Sequence, residues 1–339
     1  MPTSQVVCVP PCRQLLISRL QNDYPWLRSL AITFEADTEL GGSMLVSGLR
    51  SAVALLLAVC VAVPAVAAGA KIPKSVLVES ARMLPGGRGV VVTVAQGELA
   101  SNINPSMATV VLAGGLIGAL IDAKVDSDRG KRAQAGITPV RVALMDFDTD
   151  QLAMDVTTAA ATANPGFVAQ NLPFTRDPTP SAKSALLDKA AQSQVAFFDY
   201  VYDTAPDFAS IRVGLTITMA ATAIPAGAAP VTRLSNRNLA YVQTLTSVVQ
   251  LAHPSDPATN AQAWAAHDGA MAKQALKLGF AQVGALVPRA LALTVDDLAR
   301  FKAAEKTSAG YYSGKLVEQN AGGTLMFGAG FIHVQIYSE

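Results

Sequence analysis

The sequence predicts an α+β fold: a mainly antiparallel sheet with a glycine-rich helical hairpin and a long C-terminal helix. Three patterns support this prediction. Apolar residues alternate strictly over residues 211–219, as in a half-buried strand. Residues 260–286 have the length and the apolar spacing of a long helix. Between residues 311 and 337, short apolar runs are separated by glycine-containing turns, which predicts a C-terminal β-meander.

A secretory signal peptide is predicted at residues 44–67. Arg50 supplies its positive charge, residues 52–63 form an uncharged apolar run, and Pro64 ends that run. Residues 65–67 (Ala-Val-Ala) have the small-x-small pattern that signal peptidase reads, which predicts cleavage near Ala67. The mature protein is therefore expected to be periplasmic or membrane-associated after export.

Residues 1–43 do not resemble an export region. Because a signal peptide normally begins at the start of a chain, we interpret these residues as a mis-assigned extension with little structure, and Met44 as the true initiator. The alternative is an authentic cytoplasmic extension ahead of a membrane anchor. Residues 68–339 then form a single α+β mature domain.

The cysteines and the charge limit the chemistry of the mature chain. Cys8, Cys12 and Cys60 all precede the predicted cleavage point, so no disulfide or cysteine metal site is expected after cleavage. The residues before Cys60 approach a lipobox, but Val59 stands where a small residue is usual, so cleavage near Ala67 is preferred over lipid attachment. The net charge is +1 with no basic stripe, which predicts no nucleic-acid partner.

The first part of the mature chain predicts a hairpin and then two helices. Residues 74–84 and 90–95 flank a Pro-Gly-Gly-Arg-Gly turn and are expected to pair as a β-hairpin. Asn104 followed by Pro105 is typical of a helix start. Residues 105–163 are expected to form a helical hairpin, whose second helix runs without interruption from about residue 138.

The most unusual segment of the mature chain is the uncharged run 107–121. Small residues recur there at four-residue spacing, which puts them on one helix face: Gly114, Gly115, Gly118, Ala119 and Ala123. Missing side chains let two backbones approach closely, so this face predicts self-association or binding of another protein. One alternative is a helix buried in a soluble core. Membrane contact is another, although the run is shorter than the roughly 20 residues of a span.

The rest of the chain predicts the sheet and its covering helices. The expected elements are a short helix at 181–193, strands at 195–203 and 211–219 joined by a turn, an extended segment at 238–251, the long helix, and a short helix from Thr294 to about Lys306 that begins with a capping box formed with Asp297.

Three segments resemble a known kind of protein. Residues 114–144 (GGLIGALIDAKVDSDRGKRAQAGITPVRVAL), 206–219 (PDFASIRVGLTITM) and 263–276 (AWAAHDGAMAKQAL) are similar to segments of uncharacterised exported proteins and lipoproteins of Gram-negative bacteria. The resemblance implies a location in the cell envelope. It supplies no catalytic residues, and Val59 departs from the lipobox that many of these proteins carry.

Acidic residues give two weak candidates for chemistry. Asp146, Asp148 and Asp150 match the start of a calcium loop, but the positions that need glycine and a bidentate glutamate do not match, so a solvated helix face is the preferred interpretation. Asp199 and Asp203 could act as an acid–base pair only if their environments differed. Asp207 is expected to make a local turn hydrogen bond.

The three histidines do not form a recognisable site. His267 and Asp268 are neighbours and would point apart on a helix, and His333 is expected to be a surface or packing residue. His253 has no partner pattern. Hydrolase, nucleotide-binding and zinc-protease motifs are absent from the sequence, so no catalytic residue, cofactor or metal is predicted.

These patterns favour an envelope protein with a non-catalytic role in binding or assembly through the Gly114–Ala123 face. The predicted partner is another envelope protein or a second copy, with peripheral membrane contact as a further option. Two alternatives belong to other classes. A periplasmic hydrolase would bring His267 or His333 to a carboxylate, and a carrier of a small apolar ligand would contain a large apolar cavity.

Overall fold

The structure consists of one mixed sheet with helices packed on it. A computed structural model describes residues 73–77, 87–101, 128–187, 194–220 and 239–337. All of these belong to one compact unit, Ile72–Glu339. The described elements are, in chain order, β1 (Arg88–Val94), β2 (Ala100–Ser101), α1 (Asp128–Gly136), α2 (Thr138–Ala143), α3 (Thr149–Thr162), β3 (Phe167–Val168), β4 (Phe174–Thr175), α4 (Pro180–Leu187), β5 (Val195–Thr204), β6 (Ser210–Ala220), β7 (Leu239–Gln250), α5 (Pro257–Leu291), α6 (Val295–Ala303), β8 (Lys306–Ala309), β9 (Tyr312–Asn320), β10 (Gly323–Phe327) and β11 (Phe331–Ile336).

The strands follow the order β3-β1-β5-β6-β7-β11-β10-β9-β8, with β2 paired to β5 and β4 paired to β1. The longest pairings, β5 with β6 and β6 with β7, are antiparallel. Parallel pairings lie on both sides of this centre, where β1 joins β5 and β11 joins β7. The predicted α+β class is confirmed, since the sheet is largely antiparallel and a long helix covers it.

The central hairpin β5–β6 forms where the alternating pattern predicted it. Every second residue of both strands belongs to one buried apolar cluster, which includes Phe198, Leu215 and Ile217. At the turn, the Asp207 carboxylate accepts a hydrogen bond from the Ala209 amide at 3.1 Å, as expected. The next strand, β7, confirms the extended segment predicted at 238–251.

Helix α5 lies across the sheet and supplies much of the core. Its N-cap, Asp256, accepts hydrogen bonds from the amides of Ala258 and Thr259, and Trp264 and Phe280 are fully buried. A Cβ atom at Gly279 would lie 2.6 Å from a methyl group of Val213 on β6. Glycine at this position therefore lets the helix approach the sheet closely. The predicted long helix is confirmed and extends a few residues further at each end.

A kink interrupts α5 at residues 266–269. His267, Asp268 and Gly269 have left-handed backbone angles, with φ of 51°, 58° and 69°. A left-handed backbone costs a residue that has a side chain on the order of 1 kcal/mol. The third residue, Gly269, avoids this cost and packs against Ala143 of α2. The interpretation of His267 and Asp268 as neighbours on a regular helix is therefore wrong, because they lie in an exposed left-handed turn.

Strand β1 does not form the predicted hairpin. Residues 74–77 are described and do not form a strand, whereas residues 78–86 lie outside the described part. Both edges of β1 are occupied by parallel neighbours, β5 on one side and β3 and β4 on the other. A parallel strand that is covered on both faces has a continuous apolar sequence, as the Val-rich run of β1 does.

The predicted helical hairpin 105–163 is described only in its later part. Residues 102–127, and with them the Gly114–Ala123 face, lie outside the described residues, as do residues 1–43, the predicted signal peptide and the three cysteines. The helix expected to run without interruption from residue 138 is broken: α2 ends at Ala143 and α3 begins at Thr149. Asp148 causes the second start, because its carboxylate accepts a hydrogen bond from the Gln151 amide and caps α3.

The C-terminal elements agree with the sequence pattern. Thr294 and Asp297 form the predicted capping box of α6. Strands β9, β10 and β11 form the predicted antiparallel meander. The sequence did not indicate that β11 also pairs in parallel with β7, with Phe331 opposite Leu245. This pairing joins the meander to the central sheet.

Candidate functional site

A cleft of about 740 Å³ lies beside the end of β1 and is the candidate functional site. Three walls enclose it: the loop after β1, the connection between α2 and α3, and the segment that follows β4. Tyr202 of β5 lies at its base. The residues that line the cleft include Gly97, Glu98, Leu99, Arg141, Val142, Leu144, Met145, Asp146, Phe147, Asp148, Thr149, Asp150, Gln151, Phe174, Arg176 and Tyr202.

The first wall forms because the chain leaves the sheet between β1 and β2. The Gln96 side chain donates a hydrogen bond to the carbonyl oxygen of Tyr202, which fixes the loop against β5. The chain then returns as β2, where Ala100 lies opposite Asp203. Residues 97–99 lie between these two attachment points and form the first wall of the cleft.

The base of the cleft is a hydrogen-bonded phenol. Thr149 at the start of α3 donates to the Tyr202 hydroxyl at 3.0 Å, and that hydroxyl donates to the carbonyl oxygen of Gln96 at 3.4 Å. Burial raises the pKa of Tyr202, so the phenol stays neutral at ordinary pH. Tyr202 therefore connects the two walls and is not an exposed reactive group.

An ion pair closes one side of the cleft. Arg176 donates from Nε at 2.9 Å and from Nη2 at 2.6 Å to the same carboxylate oxygen, Oδ2 of Asp150. A Cβ atom at Gly97 would lie 2.6 Å from Arg176 Nη1, so glycine leaves room for the guanidinium. The other carboxylate oxygen of Asp150, Oδ1, is buried and has no hydrogen-bond partner among the described residues.

The second arginine of the cleft is also engaged. Arg141 Nε donates to the carbonyl oxygen of Leu99 at 2.7 Å, and its Nη2 donates to the Gln134 side chain. The carboxylate of Glu98, largely exposed, lies 3.6 Å from Arg141 Nε. Both guanidinium groups therefore hold the walls of the cleft together.

The three aspartates singled out in the sequence line this cleft. The prediction that they lie on a solvated helix face is wrong, because the chain breaks between α2 and α3 at this point. Asp148 caps α3, Asp150 pairs with Arg176, and Asp146 is exposed with no hydrogen bond or ion pair among the described residues. The cap had a signal in the sequence, since Asp148 is followed three residues later by Gln151.

The mouth of the cleft is apolar. Val142 and Met145, at the end of α2, are 61% and 76% exposed. Half-buried Leu144, Phe147 and Phe174 continue this apolar surface into the cleft. Large apolar side chains with this exposure lose water when a partner covers them, which is the usual property of a binding surface.

The aspartates of β5 are held in separate ion pairs on the sheet face opposite α5. Asp199 lies 2.6 Å from Lys183 of α4, and Asp203 binds Arg212 of β6 through both carboxylate oxygens. Although burial opposes the charge, the Asp203 carboxylate keeps the pKa of Arg212 above its ordinary value. Nearby, burial raises the pKa of Tyr312 to about 12. Each carboxylate therefore has its own cation, and the structure does not pair them for acid–base work.

The histidines lie apart from the cleft. His253 is in an exposed loop and His267 is in the exposed kink, whereas His333 is buried on β11 and its Nδ1 has no hydrogen-bond partner among the described residues. Within the described ranges, no three His, Cys, Asp or Glu side chains are grouped so that they could hold a metal ion.

His333 should make the stability of the protein depend on pH. Burial lowers the pKa of His333, and the Glu318 carboxylate opposes this effect only in part. The unfolded chain then binds the proton more readily than the folded one. The free energy of unfolding is therefore unaffected by His333 above the pKa of this histidine in the unfolded chain, about 6.5. Below that pH the free energy of unfolding falls, by at most about 1.4 kcal/mol per pH unit.

Urea unfolding between pH 8 and pH 5 tests this prediction. The His333→Gln variant should lose less stability on acidification than the parent, and His253→Gln, at an exposed position, should follow the parent. Parallel curves for the parent and His333→Gln would contradict the assignment.

Comparison with known protein families, with characterised proteins and with solved structures finds no match to this chain. Within the described ranges, no single helix has the length and apolar composition needed to cross a membrane. Helices α5 and α6 meet that test only as a pair, and they are bent by 114°. The function must therefore be argued from the site itself.

Proposed function

We propose that the protein is an exported envelope protein with a non-catalytic role in binding or assembly, carried by the face that contains Gly114, Gly118 and Ala123. Its partner is another envelope protein or a second copy of this chain. After cleavage near Ala67, the protein is periplasmic or membrane-associated.

The observation that carries this proposal is the way the body holds the two ends of segment 102–127. Strand β2 ends at Ser101 and α1 begins at Asp128, and these two elements contact each other. The sequence between them contains the uncharged run with small residues at four-residue spacing. A segment that is attached at two neighbouring points can be presented to a partner as one unit, and close van der Waals packing on small residues would supply the contact.

The cleft supports a binding role over a catalytic one. Its arginines are engaged by Asp150, Glu98 and backbone oxygen atoms, and its tyrosine connects two walls. No histidine lines it. A nucleophile with an adjacent base, the arrangement that covalent catalysis requires, is not found among the residues that line the cleft.

Gly118→Leu tests the assembly role. On an ideal helix, the leucine would project from the small-residue face and prevent close approach. We expect the variant to lose self-association, or partner binding, by at least about tenfold, which corresponds to about 1.4 kcal/mol. The measurement is light scattering coupled to size exclusion over a concentration series, with urea unfolding in parallel.

Thr109→Leu is the matched control, because residue 109 lies on the opposite side of the same ideal helix from residue 118. It adds similar bulk and should leave association unchanged. If the parent stays monomeric without a partner and Gly118→Leu is as stable as the parent, the assembly role is wrong.

A further inference from the structure

We propose that the cleft between β1 and the α2–α3 connection binds a peptide segment of a partner protein in which lysine or arginine lies next to a large apolar side chain. This site is separate from the Gly114–Ala123 face.

Charge selects a cationic partner. Four carboxylates line the cleft against two guanidinium groups. Both guanidinium groups are already held by protein acceptors, so neither can attract an anionic ligand without losing a bond to its own wall. Asp146 has no cationic partner among the described residues, and Glu98, which lies 3.6 Å from Arg141 Nε, is largely exposed. The uncompensated charge at the mouth is therefore negative, which favours an ammonium or guanidinium group.

One buried carboxylate oxygen, on Asp150, also favours a cationic partner. Asp150 accepts both Arg176 bonds through Oδ2, while Oδ1 is buried without a partner among the described residues. Burial of a carboxylate oxygen that lacks a hydrogen bond is unfavourable. This unused oxygen of a residue that lines the cleft adds to the preference for a cationic partner.

The apolar mouth of the cleft favours a partner that carries a large apolar side chain as well as a cation. Val142 and Met145 are exposed at the rim, and Leu144, Phe147 and Phe174 continue inward from it. An apolar side chain that enters here would be covered on several sides, whereas a simple cation would leave the rim in water. Since methionine adapts to differently shaped side chains, the rim suits a range of large apolar residues.

Peptide binding to the full chain tests this proposal. Three labelled peptides differ only in the feature under test: SKLKFKSG carries both cations and apolar groups, SELEFESG reverses the charge, and SKSKSKSG removes the apolar groups. We expect only SKLKFKSG to bind in a fluorescence anisotropy titration, at least about tenfold more tightly than either of the others. Its affinity should fall as salt is raised from 0.05 to 0.5 M, because the charges at the mouth are exposed.

Two pairs of substitutions locate the binding. Glu98→Gln with Asp146→Asn removes the charge of the mouth, and Val142→Ser with Met145→Ser removes its apolar rim. Each pair should weaken SKLKFKSG by about tenfold or more while thermal unfolding stays unchanged. Val295→Ser with Asp296→Asn is the matched control on α6, since Val295 and Asp296 are also exposed and lie outside the lining of the cleft.

Several outcomes would overturn the proposal. One is equal binding of SKLKFKSG to the parent and to all variants, and another is binding of SELEFESG as tight as that of SKLKFKSG. Loss of a dimer in the Val142→Ser, Met145→Ser variant, without any peptide binding by the parent, would instead assign the rim to a contact between two copies. None of these results depends on Gly118, so the failure of this proposal is distinguishable from the failure of the assembly role.

Discussion

Asp203→Ala is expected to lower the free energy of unfolding by about 3–5 kcal/mol. Asp203 and Arg212 lie opposite each other on β5 and β6 and are only 8% and 6% exposed. The carboxylate receives the guanidinium through two hydrogen bonds. Without it, the Arg212 charge stays buried with no other carboxylate paired to it among the described residues. Asp203→Ala should therefore lower the free energy of unfolding by far more than the intact ion pair raises it.

The double variant Asp203→Leu, Arg212→Leu separates these two quantities. Because it removes both charges, it should recover most of the stability that Asp203→Ala loses. Asp296→Ala on the exposed surface of α6 is the control and should change stability by no more than about 0.5 kcal/mol. The measurement is urea unfolding at pH 7. A loss below about 1 kcal/mol for Asp203→Ala would show that Arg212 is solvated despite its position.

Trp264→Ala is the second substitution with a large expected effect, again about 3–5 kcal/mol. Trp264 is fully buried in α5, its Nε1 donates to the carbonyl oxygen of Phe208 at 2.7 Å, and its ring lies edge-on to Tyr337. Phe208 has a left-handed backbone in the β5–β6 turn, with φ of 55°. The substitution would therefore leave a cavity and also release a strained turn.

Trp264→Phe keeps an aromatic ring but removes the Nε1 donor and part of the indole. It should therefore cost less than Trp264→Ala but at least the roughly 1–3 kcal/mol of an unsatisfied buried carbonyl. Asn260, one turn earlier on α5, also holds this turn through the carbonyl oxygen of Asp207 at 2.9 Å. The stability lost through Asn260→Ala should therefore not simply add to the stability lost through either tryptophan variant, because all three substitutions act on the same turn. Independent losses in a double-mutant cycle would contradict this shared role.

The sequence predicted those elements whose partners are close in the chain. The β5–β6 hairpin, α5, α6 and the C-terminal meander each carry their own period, cap or turn. The neighbours of β1 could not be predicted, because two of them are two-residue strands and the third, β5, begins about a hundred residues later. The kink at His267 was not predicted either, although Asp268-Gly269 is a dipeptide typical of turns, because the helical apolar spacing continues on both sides of it.

The cleft was not predicted for the same reason. Its walls come from segments near residues 98, 145 and 176, and its base is Tyr202. The sequence identified Asp146, Asp148 and Asp150 only as a poor match to a calcium loop. They line one cleft because the chain breaks between α2 and α3, which the sequence did not predict. The Gly114–Ala123 face, the centre of the sequence-based hypothesis, stays a prediction.

The position of β11 has a consequence for the order of folding. This strand comes last among the described ones, yet it fills the space between β7 and β10. Its contacts with β7 join residues more than eighty positions apart, so they form late and slow the reaction. Until β11 pairs with it, this edge of β7 is open to pairing with another chain.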